Sequence, residues 1–371
     1  MQQTIQVPVS ASSKLWAVVH TPDDLAINTE QCALLMFCHG VGEAGSTQAS
    51  ASKLTPGSPL SFATGAKFEF ASPADGKKFR FIIVGIQAPS WSPSPAQVKY
   101  AIENEFFQAK YKVNKNAVFI TGLSAGGQTT LDSVTTNGIL ELYAACIPMS
   151  PANDGDLANI QATANNKIES WGFSGASDGG YTGNLYNFSN SLDAKADNTA
   201  RVTIYPGGHG GWDKFYNPLY KEDFAGVQLN IYEYLLANIK GSTWVNPSKN
   251  LSVTADFDFT YNNGTMTLDA SKSTNATPAW NGYGWNVTPL PGGNWNTDVV
   301  GGAYGNPKVI NKAKGDYSVT LTVTDVFGKT AQVTKVVREG AASLPPVIPP
   351  VVKTINKVVV HFSDGSTQEV K

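Results

Sequence analysis

The run AVFITGLSAGG (residues 117–127) holds Gly122-Leu123-Ser124-Ala125-Gly126, a serine with a glycine two positions away on each side. An apolar stretch precedes it and a helix-compatible stretch follows. In that setting a sharp strand-to-helix turn lifts the serine out of the backbone, and small neighbours relieve the crowding. A serine hydroxyl so placed can attack a carbonyl carbon once a base takes its proton. The chain has four histidines. His20 falls in an opening β-like run, His39 ends the apolar run CALLMFCH, and His361 lies in the C-terminal segment. His209 remains, in the glycine-rich loop YPGGHGGWDKFY after the last strand-like run. It is the expected base. The chain order serine, acid, histidine puts the acid after the strand between them. Asp178, in SGASDGG after IESWGFSG, fits and would fix the imidazole tautomer. Asp154 and Asp156 follow the preceding strand, one position too early. Two backbone N–H donors are needed for the oxyanion. Ala125 is the expected first and Val41, in HGVGEAG (39–45), the second. Trp91 and Trp212 are expected to border the substrate pocket, and Trp171, inside a strand, to be core.

These residues need a frame. Strand-like runs fall at 4–9, 14–20, 32–39, 79–87, 117–122, 143–150, 168–175 and 201–208, the middle ones apolar almost throughout, as in strands buried on both faces. Helical segments lie between them. Ser94-Pro95-Ala96-Gln97 reads as a capping box with proline at the first helical position, followed by Val98, Ile102 and Phe106 on one face. Further helices are expected at about 125–137, stopping at Asn137-Gly138, and at about 224–240. The alternation implies an α/β fold with a doubly wound, mostly parallel sheet over residues 1–243. The segment 151–166 is short and polar, leaving no large lid. From 244 to 340 helical periodicity disappears and short alternating strands with many turns suggest an all-β sandwich. A proline-rich linker is expected at 341–353, and a C-terminal hairpin at 354–371 turning at Asp364-Gly365.

Composition narrows the classes. With 42% hydrophobic, 15% charged residues and a formal net charge of −2, a large core is expected. Nucleic acid and anionic membrane surfaces are poor partners for such a chain. No apolar run is long enough to span a bilayer, and MQQTIQVPVS lacks a secretory signal's pattern. Cys32, Cys38 and Cys146 sit in apolar runs without metal-site spacing. They are expected as buried, unpaired thiols. Cys32 and Cys38 on one straight strand stand too far apart for a disulfide, at about 3.3 Å per residue. No cofactor or metal is called for.

Residues from about 10 to 240 resemble an α/β-hydrolase. Within that superfamily, His39-Gly40, GLSAGG, Gly175-x-x-Asp178 and HGGWDKFYN are similar to the secreted carboxylesterases that include acetylxylan and feruloyl esterases and polyhydroxybutyrate depolymerases. The resemblance implies a Ser124–His209–Asp178 triad acting through an acyl-enzyme, an ester of acetylated or feruloylated polysaccharide as substrate, and a secreted or cell-surface location. A serine peptidase with the same triad and a noncatalytic carbohydrate-binding or adhesion protein are the alternatives. TLDASKST, then Gly315-Asp316-Tyr317 before SVTLTVTD and VFGKTAQVTKVV, resemble a PKD-like immunoglobulin-fold module. The run GYGWNVT stands where many members of that family have Trp-Asp-Phe-Gly-Asp-Gly. Trp280, Trp285 and Trp295 are the aromatics there that could meet a ligand, with Trp285 expected in the core.

Overall fold

The computed structural model describes residues 1–25, 31–63, 68–196, 199–277, 282–294, 298–300, 306–340, 358–361 and 367–370. The strands are β1 (Gln2–Pro8), β2 (Lys14–His20), β3 (Cys32–Cys38), β4 (Glu69–Ala71), β5 (Lys78–Ile86), β6 (Val113–Leu123), β7 (Ala145–Met149), β8 (Glu169–Gly175) and β9 (Ala200–Tyr205). They form one sheet in the order β1-β2-β5-β3-β6-β7-β8-β9, with β4 paired to β5. Pairing is antiparallel from β1 through β2 to β5 and parallel from β5 to β9. The helices are α1 (Pro59–Phe62), α2 (Pro95–Ala101), α3 (Ala125–Thr135), α4 (Ile160–Asn165), α5 (Gly180–Asp193), α6 (Asp213–Tyr216) and α7 (Ile231–Ala237). This is the doubly wound α/β-hydrolase type of sheet.

The near-continuous apolar strands sort by parity. Leu34, Met36, Cys38, Ile82, Val84, Val118 and Ile120 belong to one buried cluster. Ala33, Leu35, Phe37, Phe81, Ile83, Ala117 and Phe119 belong to another. Successive side chains of a strand point to opposite faces, so each face of the sheet carries its own core. The capping box at Ser94 and Gln97 is formed, and Val98, Ile102 and Phe106 are buried although α2 passes into a π-turn at 102–106.

Two helical expectations differ from the structure. The helix expected at 125–137 ends at Thr135. In place of a helix over 224–240, strands β10 (Glu222–Phe224) and β11 (Val227–Leu229) form a hairpin, and α7 begins only at Ile231. Ala225 and Gly226 turn at φ 52° and 94°, a left-handed pair that makes a hairpin and breaks a helix. Asn230 then opens α7 through a capping box with Glu233. Helix α5 was not foreseen. Its buried face of Leu185, Phe188, Ser189 and Leu192 is interspersed with glycine, serine and asparagine, which weakens its signal.

The C-terminal region is all β. One sheet runs β12 (Asp258–Asn262), β13 (Thr265–Asp269), β16 (Lys308–Asn311), β15 (Asp298–Val300), and a second runs β14 (Tyr283–Pro289), β17 (Tyr317–Thr324), β18 (Thr330–Val337). Their inner residues, among them Phe259, Tyr261, Leu268, Ile310, Val319 and Leu321, share one core. Trp285 is buried in it against Phe257. Trp280, Trp295, the proline-rich run and the Asp364-Gly365 turn lie outside the described residues. Strands β19 (Val358–His361) and β20 (Thr367–Val370) pair antiparallel. The sandwich meets the edge of the large sheet where Val202 N–H donates to the Val326 carbonyl at 3.0 Å, and Lys249 Nζ reaches Glu169 Oε1 at 2.6 Å.

Candidate active site

Strand β6 ends at Leu123, and Ser124 stands at the turn with φ 55° and ψ −117° before α3 begins. That conformation is costly for a residue with a Cβ and persists only where its surroundings enforce it. They do so here. Ser124 N–H donates to the Met149 carbonyl at 2.9 Å, and its own carbonyl accepts Gln128 N–H at 3.1 Å. A Cβ on Gly126 would lie 1.9 Å from the Cys38 carbonyl oxygen, and one on Gly122 would lie 2.3 Å from that of Gly126. The glycines thus let α3 start directly against the end of β3. The Ser124 side chain does not cap the helix it precedes. It points instead to His209, whose Nε2 is 2.8 Å from the serine Oγ.

His209 lies on the loop between β9 and α6. Gly211 takes φ 77° there, a conformation glycine adopts without penalty. Tyr205 donates its hydroxyl to the Gly210 carbonyl at 2.7 Å, tying the loop to the strand it leaves. Asp178 follows β8, and its oxygens sit 2.9 and 3.1 Å from His209 Nδ1. The Asp178 side chain is 2% exposed against 34% for His209. A carboxylate at Nδ1 holds the proton on that nitrogen and leaves Nε2 to accept from the serine. The imidazole is flanked by the Tyr181 ring, 4.1 Å between centroids, and by the Trp212 ring at 4.9 Å and 89°. Asp154 and Asp156 are engaged elsewhere, with Asn187 and with the N–H of Ala158.

Val41 opens a short 3₁₀ turn at 41–43 and Ala125 opens α3. The first N–H groups of a helix have no intrahelical carbonyl to bond; Ala125 directly follows Ser124, and Val41 directly follows Gly40. Gly40 lies close enough to β6 that a Cβ would come within 2.8 Å of Leu123 Cδ1. His39, fully buried, fixes this loop. Its Nδ1 meets the Gly40 carbonyl at 2.6 Å, and its Nε2 accepts Ala88 N–H at 2.9 Å. Burial pushes the His39 pKa down, against the pull of the Gly40 carbonyl, consistent with a neutral ring that donates from one nitrogen and accepts at the other.

Trp91 is 50% exposed with φ 32° and donates Nε1–H to Gln128 Oε1 at 3.3 Å, one helical turn past Ser124. Trp212 lies deeper, its Nε1–H donating to Ser150 Oγ at 3.1 Å. Trp171 is core, hydrogen-bonded to Thr203. The three cysteines are buried free thiols, and burial raises Cys146 to about 12, far from a reactive thiolate. His20 is buried and its pKa drops to about 4, chiefly through desolvation. Tyr181, Ser150 and Ser174 complete the surroundings of His209 and Asp178. Sequence reasoning missed the role of all three, although Ser174 stood in the marked run SGASDGG and Tyr181 directly follows it. Among the described residues no cluster of metal-ligating side chains occurs, and no helix is long and apolar enough to cross a membrane.

Compared with known proteins, the chain matches no family and no curated protein. Among solved structures it is similar to a thermostable esterase (19% identity, TM-score 0.46, 65% of this chain and 63% of that one), so it spans less than two thirds of that protein's length. It is also similar to a ferulic acid esterase (16%, TM-score 0.40, 58% and 94%). A third is the acylaminoacyl peptidase of Pyrococcus horikoshii (15%, TM-score 0.38, 61% and 43%).

Proposed function

We propose that the chain is a serine carboxylesterase, with Ser124 as nucleophile, His209 as general base and acid, and Asp178 as the residue that orients and stabilises the imidazole. The observation that carries this reading is the unbroken hydrogen-bond line Asp178–His209–Ser124, ending on a serine held in a strained turn at a helix N-terminus. As the Ser124 Oγ–carbon bond forms, the hydroxyl proton passes to His209 Nε2. The N–H groups of Val41 and Ala125 receive the negative charge on the former carbonyl oxygen. The carbon–oxygen bond to the alcohol then breaks, and His209 returns the proton to the leaving oxygen. Water repeats the sequence on the acyl-enzyme and frees the acid. This chemistry needs only the chain's own residues.

Trp91 and Trp212 form the aromatic walls of the acyl or sugar subsite in this reading. The half-exposed Trp91 ring suits a planar aryl or a sugar face. The substrate is an ester of acetylated or feruloylated polysaccharide, and the protein works outside the cell or on its surface. Both follow from the sequence resemblance. Residues 1–243 form the catalytic domain and 244–340 a PKD-like accessory domain, joined through 341–353 to the hairpin at 354–371. Hydrolysis of p-nitrophenyl acetate, methyl ferulate and acetylated xylan by wild type and Ser124→Ala tests the proposal. Activity confined to wild type is expected. Turnover retained in Ser124→Ala would overturn it, and faster cleavage of an acylated amide than of every ester would favour a peptidase.

A further inference from the structure

Ser150 directly follows β7 and has φ 44° although it is not glycine and is fully buried. Were only the backbone turn required, glycine would supply it without strain. The side chain has a use. Ser150 Oγ accepts the Trp212 indole N–H at 3.1 Å, and Trp212 stands perpendicular to His209. Ser150 Oγ also lies 3.4 Å from Ser174 Oγ, which contacts Thr182 Oγ1 at 2.8 Å and Asp178 Oδ2 at 3.5 Å. Thr182 gives its proton to the Gly175 carbonyl. With the Thr182 proton on the Gly175 carbonyl, Ser174 donates to Thr182, and Ser150 is held chiefly as the acceptor of the Trp212 N–H. Met149, the residue before Ser150, accepts the Ser124 N–H. One corner of the fold thus holds the nucleophile's backbone and, through its next residue, the aromatic wall of the base.

We infer that Ser150 is a positioning residue. Its hydroxyl hooks the Trp212 indole so that Trp212 and Tyr181 confine the His209 ring to the plane in which Nε2 reaches Ser124. The inference rests on the esterase reading and adds a residue to it. A ring free to swing spends less time within reach of Oγ, and small misplacements of a catalytic group cost large factors in rate. Ser150→Gly removes the hook and relieves the strained backbone, so stability and rate should part company.

The test measures the rate of fluorophosphonate labelling at Ser124, with kcat and KM on p-nitrophenyl acetate, for wild type, Ser150→Gly, Trp212→Phe and the double variant. Trp212→Phe keeps a ring beside His209 but lacks the N–H. Each single variant is expected to lose on the order of tenfold in labelling rate and kcat. KM should stay within about twofold, and the double variant should be no slower than the worse single one. A wild type that is not labelled would overturn the esterase reading and this inference with it. A labelled wild type with Ser150→Gly or Trp212→Phe equally fast, or with losses that multiply in the double variant, would overturn the hook alone.

Discussion

At the scale of single residues, the site depends on atoms whose replacement leaves no slack. Asp178 meets His209 Nδ1 through both oxygens in a nearly dry setting. In Asp178→Asn an amide would present a donor to the same nitrogen and favour the wrong tautomer. We expect kcat to fall about 10³–10⁴-fold with the fold intact, as read by steady-state kinetics beside circular dichroism. Gly126 shows the opposite kind of dependence. A methyl group there would fall 1.9 Å from the Cys38 carbonyl oxygen, backbone that cannot step aside. Gly126→Ala is therefore expected to cost about 3 kcal/mol or more, measured as a lower urea midpoint. Both positions were legible in the sequence, since the G-x-S-x-G spacing and the strand order name them. Ser150 was not, because a serine following an apolar run gives no sign of a left-handed backbone or of an indole 62 positions away.

At the scale of elements, α7 illustrates how capping decides a boundary. Asn230 Oδ1 accepts Glu233 N–H at 2.9 Å and Glu233 Oε2 accepts Asn230 N–H at 3.0 Å. Asn230→Ala should destabilise the protein by about 1 kcal/mol, seen in chemical denaturation, with esterase kinetics unchanged because α7 carries no part of the site. The end of α5 holds a pH-dependent element. Burial raises the Asp193 carboxyl to about 7, the neighbouring Glu169 adds to the rise, and the N–H groups of Ala200 and Thr199 oppose it. The folded protein thus keeps a proton that the unfolded chain releases near pH 4. The stability this contributes is complete below about pH 4 and is lost as pH rises through about 7. In Asp193→Asn the amide oxygen can still accept both N–H groups and never charges. The variant's melting temperature should match wild type at pH 4 and exceed it at pH 8, and equal curves at both would refute the assignment.

At the scale of the whole molecule, two large cores flank the large sheet, a small cluster of Leu185, Val202 and Ile204 packs α5 on its β9 edge, and a further core fills the sandwich. The two cores of the sheet hang on alternate residues of the same strands and form together, whereas the sandwich core draws on neither. The Val202–Val326 hydrogen bond covers part of the edge strand β9, and exposed edges invite association. A protein ending at residue 243 is expected to hydrolyse p-nitrophenyl acetate within about threefold of the full chain. It should also melt lower and associate more readily, as measured by scanning calorimetry and light scattering, because losing an edge partner costs stability without touching the triad. A truncated protein that folds but has no activity would show that the sandwich contributes to the site.

The sequence determined what local pattern can carry. Long apolar runs specified strands buried on both faces, Ser94 and Gln97 specified a helix start, and alternation marked the inward residues of Tyr317–Thr324. The G-x-S-x-G motif brought Ser124 forward, elimination among four histidines brought His209, and chain order then singled out Asp178. Local pattern also misled where a turn overrode it, as at Ala225-Gly226, because the apolar residues of a short hairpin and of a helix look alike until a left-handed pair separates them. Only the tertiary structure decided which groups share space. It put His39 between Gly40 and Ala88 to hold one loop, and the Tyr181 and Trp212 rings beside His209. It also set the Ser150 hydroxyl at the indole N–H. Those contacts join segments far apart in the chain, and hydrogen-bond geometry between such segments is set by how the sheet packs rather than by any periodicity along it.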